Sequence, residues 1–208
     1  MSTNTPDEYF TLRADSAGEL RVRGSRFLAV AAHVNGVGDV NSLLESRRKT
    51  FHDASHHCFA YRIGIARDAY RYNDDGEPSG TAGKPILAAI DQEGLTDTLV
   101  VVTRYFGGVK LGTGGLSRAY SEAARLALSA GTKEARFVTR RGTLLVSLVA
   151  AGTVMNTLAK HRARVIRTTF DDNAQVEFEV RASLVNTVLE ELRDRTGGKI
   201  QVTGEIAE

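Results

Sequence analysis

Residues 98–120 constrain this chain more than any other stretch. Leu99-Val100-Val101-Val102 is an apolar, β-branched run of strand length and reads as a buried strand. Gly107-Gly108, Gly112 and Gly114-Gly115 follow it. Leu116, Tyr120, Ala123, Ala127 and Ala130 then fall on one helical face. The unit is strand, glycine-rich turn, helix, with the helix starting near Thr113 or Gly114 and Thr113 as its cap. Residues 74–90 repeat that layout. Asp74-Asp75-Gly76-Glu77-Pro78-Ser79-Gly80-Thr81-Ala82-Gly83-Lys84-Pro85 leads into the apolar face Ile86, Leu87 and Ile90. Ser79 or Thr81 is the expected cap, and Pro85 sits in the first turn, where its missing N–H costs nothing.

Glycine closes tight turns, and it also lets backbone approach a ligand closely. Both uses fit these segments. Helix N-termini carry free N–H groups and the positive end of the dipole, which suits anions. The set expected to bind RNA or another anion is Lys84, Arg104, Lys110, Gly112, Gly114, Gly115 and Arg118. Asp74, Asp75 and Glu77 hold a metal, pair with Lys84 and Arg104, or lie in solvent. With Arg26, His57, Ser79 and Thr81 they form a secondary set in the same expected cleft. The chain contains neither G-x-x-x-x-G-K-[ST] nor G-x-G-x-x-G. Tyr105, Phe106 and Tyr120 are candidates to stack on bases, and Phe106 and Tyr120 fit the core equally well.

Catalytic patterns are weak. His56, His57, Asp74, Asp75 and Glu77 match no metal-ligand spacing. Adjacent histidines on a strand point to opposite faces, one toward the core and one toward the cleft. There is no G-x-S-x-G elbow, and Ser79 and Ser117 have no base within local reach. Cys58, alone in an apolar strand, reads as packing. The expectation is a non-enzymatic protein with no catalytic residue, metal or cofactor; a phosphate-ligand hydrolase is the lesser alternative.

The two glycine-rich segments, with Ser25-Arg26-Phe27-Leu28-Ala29 and the strand from His56 to Gly64, resemble the signature of the IMPACT family in its bacterial, YigZ-like form. That resemblance extends over nearly the whole chain. It implies an N-terminal domain like the ribosomal protein S5 domain 2 fold and a ferredoxin-like C-terminal domain. It also implies a role linked to translation, since eukaryotic members regulate initiation through a protein partner. The partners it suggests are RNA or the ribosome, or a regulatory protein.

The rest of the chain fits two α+β domains, expected at 1–131 and 132–208. Residues 9–14 and 19–23 read as strands around an Asp15-Ser16-Ala17-Gly18 turn. Residues 26–34 read as a strand, 39–52 as a helix, and 56–65 with 70–73 as a hairpin. After Gly131 the pattern changes. Residues 135–150 read as one long strand, followed by a helix from about Thr153. The strands 165–170 and 175–180 flank Asp171-Asp172-Asn173-Ala174. Ser183 caps a helix that Gly197-Gly198 ends, and residues 199–206 close as a strand. This order is βαββαβ, the ferredoxin-like arrangement.

Charge is balanced. The 208 residues carry a net charge of +2, so any nucleic-acid contact must be local. Lys133, Arg136, Arg140, Arg141, Lys160, Arg162, Arg164 and Arg167 precede Asp171 with only Glu134 against them, forming a phosphate-binding cluster or a solvated face. A single cysteine excludes an internal disulfide and fits a reducing, cytoplasmic setting. Residues 1–8 lack the features of a signal peptide, and no apolar run approaches the ~20 residues of a membrane span.

Overall fold

The computed structural model describes residues 7–67 and 69–204. It divides into two units. One is Tyr9–Arg136; the other is built from Phe137 onward and takes in Asp7 and Glu8.

The first unit centres on a five-stranded sheet. Its strands are β2 (Ser16–Val22), β3 (Ser25–His33), β4 (His56–Ile63), β5 (Ala69–Asn73) and β6 (Thr98–Tyr105). They lie in the order β2-β3-β6-β4-β5, with every neighbouring pair antiparallel. The helices are α1 (Val37–Thr50), α2 (Gly83–Gln92) and α3 (Gly112–Ala130). Strand alternation gives the sheet two apolar faces. Phe27, Ala29, Cys58, Ala60, Val100 and Val102 share a core with α2 and α3. Phe59, Tyr61, Leu99 and Val101 pack against Val40, Leu43 and Leu44 of α1. Central β6 is buried on both faces, which explains its unbroken apolar run. Each fully buried aliphatic side chain contributes about 1.5–3 kcal/mol.

The expected 15–18 turn is not a turn. Ser16–Gly18 belong to β2 and pair with β3. A Cβ on Gly18 would lie 2.7 Å from the Ala127 backbone nitrogen, so glycine serves the approach of strand to helix. The true hairpin turn is Arg23-Gly24, with φ of 46° and 80° between the paired Val22 and Ser25. β1 (Glu8–Leu12) pairs instead with β7 (Lys133–Phe137).

The second unit contains β8 (Thr139–Val146), α4 (Leu148–Lys160), β9 (Arg164–Phe170), β10 (Ala174–Arg181), α5 (Val185–Arg195) and β11 (Ile200–Val202). Its antiparallel sheet runs β11-β8-β10-β9, the ferredoxin-like order. Leu144, Val176 and Phe178 form its core with Val154, Leu158 and Leu192 of the helices. The long strand expected at 135–150 is two strands and a helix start. Ser147, whose hydroxyl accepts from the Ala150 amide, caps α4. Apolar periodicity hides that switch, because strand and helix are equally rich in Val and Leu there. Ser183 does not cap α5; its hydroxyl donates to the Asp7 carboxylate. Gly197 and Gly198, with φ of 60° and 76°, end the helix as expected. Residues 1–6 and the end of the expected last strand, 205–206, lie outside the described residues.

Candidate functional site

Strand direction gathers the glycine-rich segments. β5 and β6 are both antiparallel to β4, so they run the same way and end at the same end of the sheet. β3 and β4 begin there, with Arg26 opposite Tyr105 and His56 opposite Arg104. The Arg23-Gly24 turn, the 74–82 and 106–111 loops and the starts of α2 and α3 therefore share one end.

The acidic residues at this end have internal partners. Asp74 is the cap that neither Ser79 nor Thr81 supplies. Its Oδ1 accepts from the Ala82 and Gly83 amides at 2.9 and 2.8 Å, and its Oδ2 from Gly80 at 2.8 Å. Ser79 is exposed, and the Thr81 hydroxyl donates to the Pro78 carbonyl. Burial works to raise the Asp74 pKa, but the amides of Gly80, Gly83 and Ala82 outweigh it and hold the carboxyl below its usual range. A depressed carboxyl stabilises the fold above its ordinary value, about 4, and that contribution fades as pH falls through the folded value. Asp74→Ala should therefore lose about 1–3 kcal/mol at neutral pH. Chemical denaturation at pH 7 and pH 3 checks this: the gap from wild type narrows in acid.

Asp75 accepts from the His57 amide at 2.7 Å and pairs with Arg48 at 2.8 Å. Glu77 reaches inward. Its Oε1 is 2.5 Å from Arg104 Nη1, accepts from the Tyr120 hydroxyl at 2.8 Å and lies 3.7 Å from His56 Nε2. Of the roles open to these acids, the structure selects pairing with arginine and backbone. Arg104 is thereby removed from the expected binding set. It is 4 % exposed, it donates to the Ser25 hydroxyl as well as to Glu77, and its Nε has no hydrogen-bond partner among the described residues. Arg26 is also engaged, forming two hydrogen bonds to Glu19 at 3.0 and 3.1 Å.

The histidines face opposite ways. His57 is buried with Nδ1 3.2 Å from the Thr103 hydroxyl, and burial lowers its pKa. His56 donates from Nδ1 to the Asp75 carbonyl at 2.8 Å. The Cys58 thiol donates to the Asp74 carbonyl at 3.0 Å, and burial pushes its pKa up to about 12, so it stays protonated at neutral pH. Tyr120 is core, and Phe106 is half exposed and so not a core residue. Among the described residues, no group of three or more His, Cys, Asp and Glu side chains is arranged to hold a metal ion, and no helix is long and apolar enough to cross a membrane.

This end exposes four cations beside the exposed Phe106, Val109 and Asp53. Arg23, Lys84, Lys110 and Arg118 are exposed, and none has an ion-pair partner among the described residues. The α2 N-terminus already holds the Asp74 carboxylate. α3 differs: it starts at Gly112, after Leu111, with no side-chain cap, and Thr113 lies inside its first turn. The glycines divide by role. Gly107 fits against the Gly24 backbone, and Gly112 needs its φ of 70°. Gly115 is close-packed, its added Cβ lying 3.2 Å from Leu111 Cβ. Gly114 is exposed, has no positive φ, and an added Cβ there would meet only the end of Arg118 at 3.7 Å. Arg118 and Gly115 also line a groove of about 350 Å³ between β2 and α3. Sequence reasoning missed Arg23, because Arg-Gly is not one of the dipeptides, such as Asn-Gly or Asp-Gly, that mark a turn with two positive φ angles. It also missed Ser25 and Tyr120 as partners of the buried ion pair.

Five of the eight cations expected as a cluster from Lys133 to Arg167 are ion-paired, while Arg140, Arg162 and Arg167 have no ion-pair partner among the described residues. Lys133 pairs with Glu93, Arg136 with Glu134, Arg141 and Arg164 with Glu179, and Lys160 with Glu191.

Residues 23–128, from the Arg23 turn through nearly all of α3, match the Impact N-terminal domain. The chain belongs to the IMPACT family. Residues 150–199 match a domain of unknown function, DUF1949. This IMPACT family protein is 33% identical over 198 residues to the IMPACT family member YvyE of Bacillus subtilis, covering 93% of this chain and 89% of YvyE. It is 44% identical over 109 residues to the IMPACT family member YigZ of Escherichia coli, covering 51% of this chain and 53% of YigZ. A crystal structure described as that of a hypothetical protein superposes with a TM-score of 0.70 at 29% identity, covering 96% of this chain and 98% of that one.

Proposed function

We propose that this IMPACT family protein is a non-enzymatic, translation-linked regulator of the cytoplasm that binds RNA or the ribosome through the cationic end of its first unit. The observation that carries this reading is a separation of charge. Asp74 and Asp75 bind backbone amides, Asp75 also pairs with Arg48 of α1 and Glu77 with buried Arg104 of β6, leaving Arg23, Lys84, Lys110 and Arg118 exposed without an acidic partner among the described residues. Such an end is net positive locally although the chain is nearly neutral, and phosphate contacts draw on that kind of field. Membership of the IMPACT family supports the link to translation. The engaged state of the acids and the protonated Cys58 thiol support binding over catalysis.

Co-sedimentation tests this directly. The protein should pellet with ribosomes at low salt and be released as salt rises. Retention only in complexes free of RNA, with no affinity for RNA at any salt concentration, would replace this reading with a protein-binding module.

A further inference from the structure

The groove beside α3 has the composition of a nucleotide subsite. Its bed is apolar, formed by Leu20 and Val22 of β2 with Leu111 and Ala119. Arg23, Arg118 and Glu122 also line it, and Glu122 lies 3.5 Å from Arg125. At about 350 Å³ it suits one small planar group rather than a folded element. Arg23 has a φ of 46° in a turn position where asparagine or glycine is the strain-free choice. Arginine there brings a cation to the rim at a conformational cost. Gly114 adds an independent feature. Neither φ nor packing requires glycine at this helical position, yet its absent side chain leaves the backbone open beside Arg118.

From this we infer that the groove holds one unpaired nucleotide of single-stranded RNA, the base on the apolar bed and its phosphate between Arg23, Arg118 and the backbone at Gly114. This rests on the RNA-binding reading above and narrows it to unpaired strands. A duplex keeps its bases stacked inside and cannot fill the groove.

Fluorescence anisotropy of the full chain with a labelled adenine oligoribonucleotide, and with the same strand in a duplex, tests this. Wild type should bind the single strand at least tenfold more tightly. Val22→Trp, which fills the groove and leaves every cation, should remove that preference. Gly114→Ala should melt at or above the wild-type temperature and bind the single strand several-fold more weakly. Equal binding of both RNAs, with both variants like wild type, would overturn the groove assignment while leaving backbone binding in place. Absence of binding to either RNA at low salt would overturn the RNA reading itself. Competition by polyglutamate as strong as by the single strand would assign the groove to an acidic protein segment instead.

Discussion

Glu77→Ala should destabilise the protein by about 3–5 kcal/mol, the range for removing one partner of a buried ion pair. Glu77 is nearly enclosed, and its Oε1 serves both the Arg104 guanidinium and the Tyr120 hydroxyl. Without it, Arg104 remains buried between the rings of Phe27 and Phe106, 5.4 and 5.5 Å from their centroids, with Ser25 as its remaining side-chain hydrogen-bond partner. Tyr120 loses its acceptor, and burial already raises its pKa, so it cannot ionise in compensation. The double variant Glu77→Leu/Arg104→Met should recover most of the loss, because the cost lies in the stranded charge. Urea midpoints of the three proteins decide it. A single variant within about 1 kcal/mol of wild type would mean that the pair is relaxed by solvent.

Gly107→Ala should be comparably severe, at about 3 kcal/mol or more, the upper end of overpacking effects. The added Cβ would lie 1.8 Å from the Gly24 carbonyl carbon and 2.1 Å from the Ser25 nitrogen, so backbone must move. Gly24 cannot yield easily, since a Cβ on it would sit 2.7 Å from the Gly107 oxygen and its φ is 80°. Gly114→Ala, a few residues away, should be neutral or stabilising by up to about 1 kcal/mol. Thermal melts of the two variants separate glycine required by the fold from glycine that the fold tolerates. Equal melting temperatures would contradict that distinction.

This contrast marks how far the sequence could be read. Periodicity located β3, β4 and β6, the α3 face and the ferredoxin-like order, because alternation and helical spacing are local signals. It could not tell Gly18 packed on α3 from Gly18 in a turn, nor find the α4 start inside a Val- and Leu-rich run. At the site, Lys84, Lys110 and Arg118 emerged from the sequence as cations beside helix starts, and they are exposed there. Arg104 looked equivalent. Its burial depends on Glu77, Ser25 and Tyr120, which lie 27, 79 and 16 positions away in the chain. Asp74 as the α2 cap was similarly hidden, since it acts across a loop rather than from the adjoining cap position.

The salt dependence of RNA affinity tests the central claim most directly. Log affinity plotted against log salt should fall with a slope of roughly 0.7–0.9 for each phosphate engaged. Arg118→Ala and Lys110→Ala should each reduce that slope by about 1 across RNA sequences. Arg195→Ala, in the second unit and paired with Glu191, should leave it unchanged. A slope near zero, or one that Arg118→Ala and Arg195→Ala alter equally, would contradict the assignment of phosphate binding to this end of the sheet.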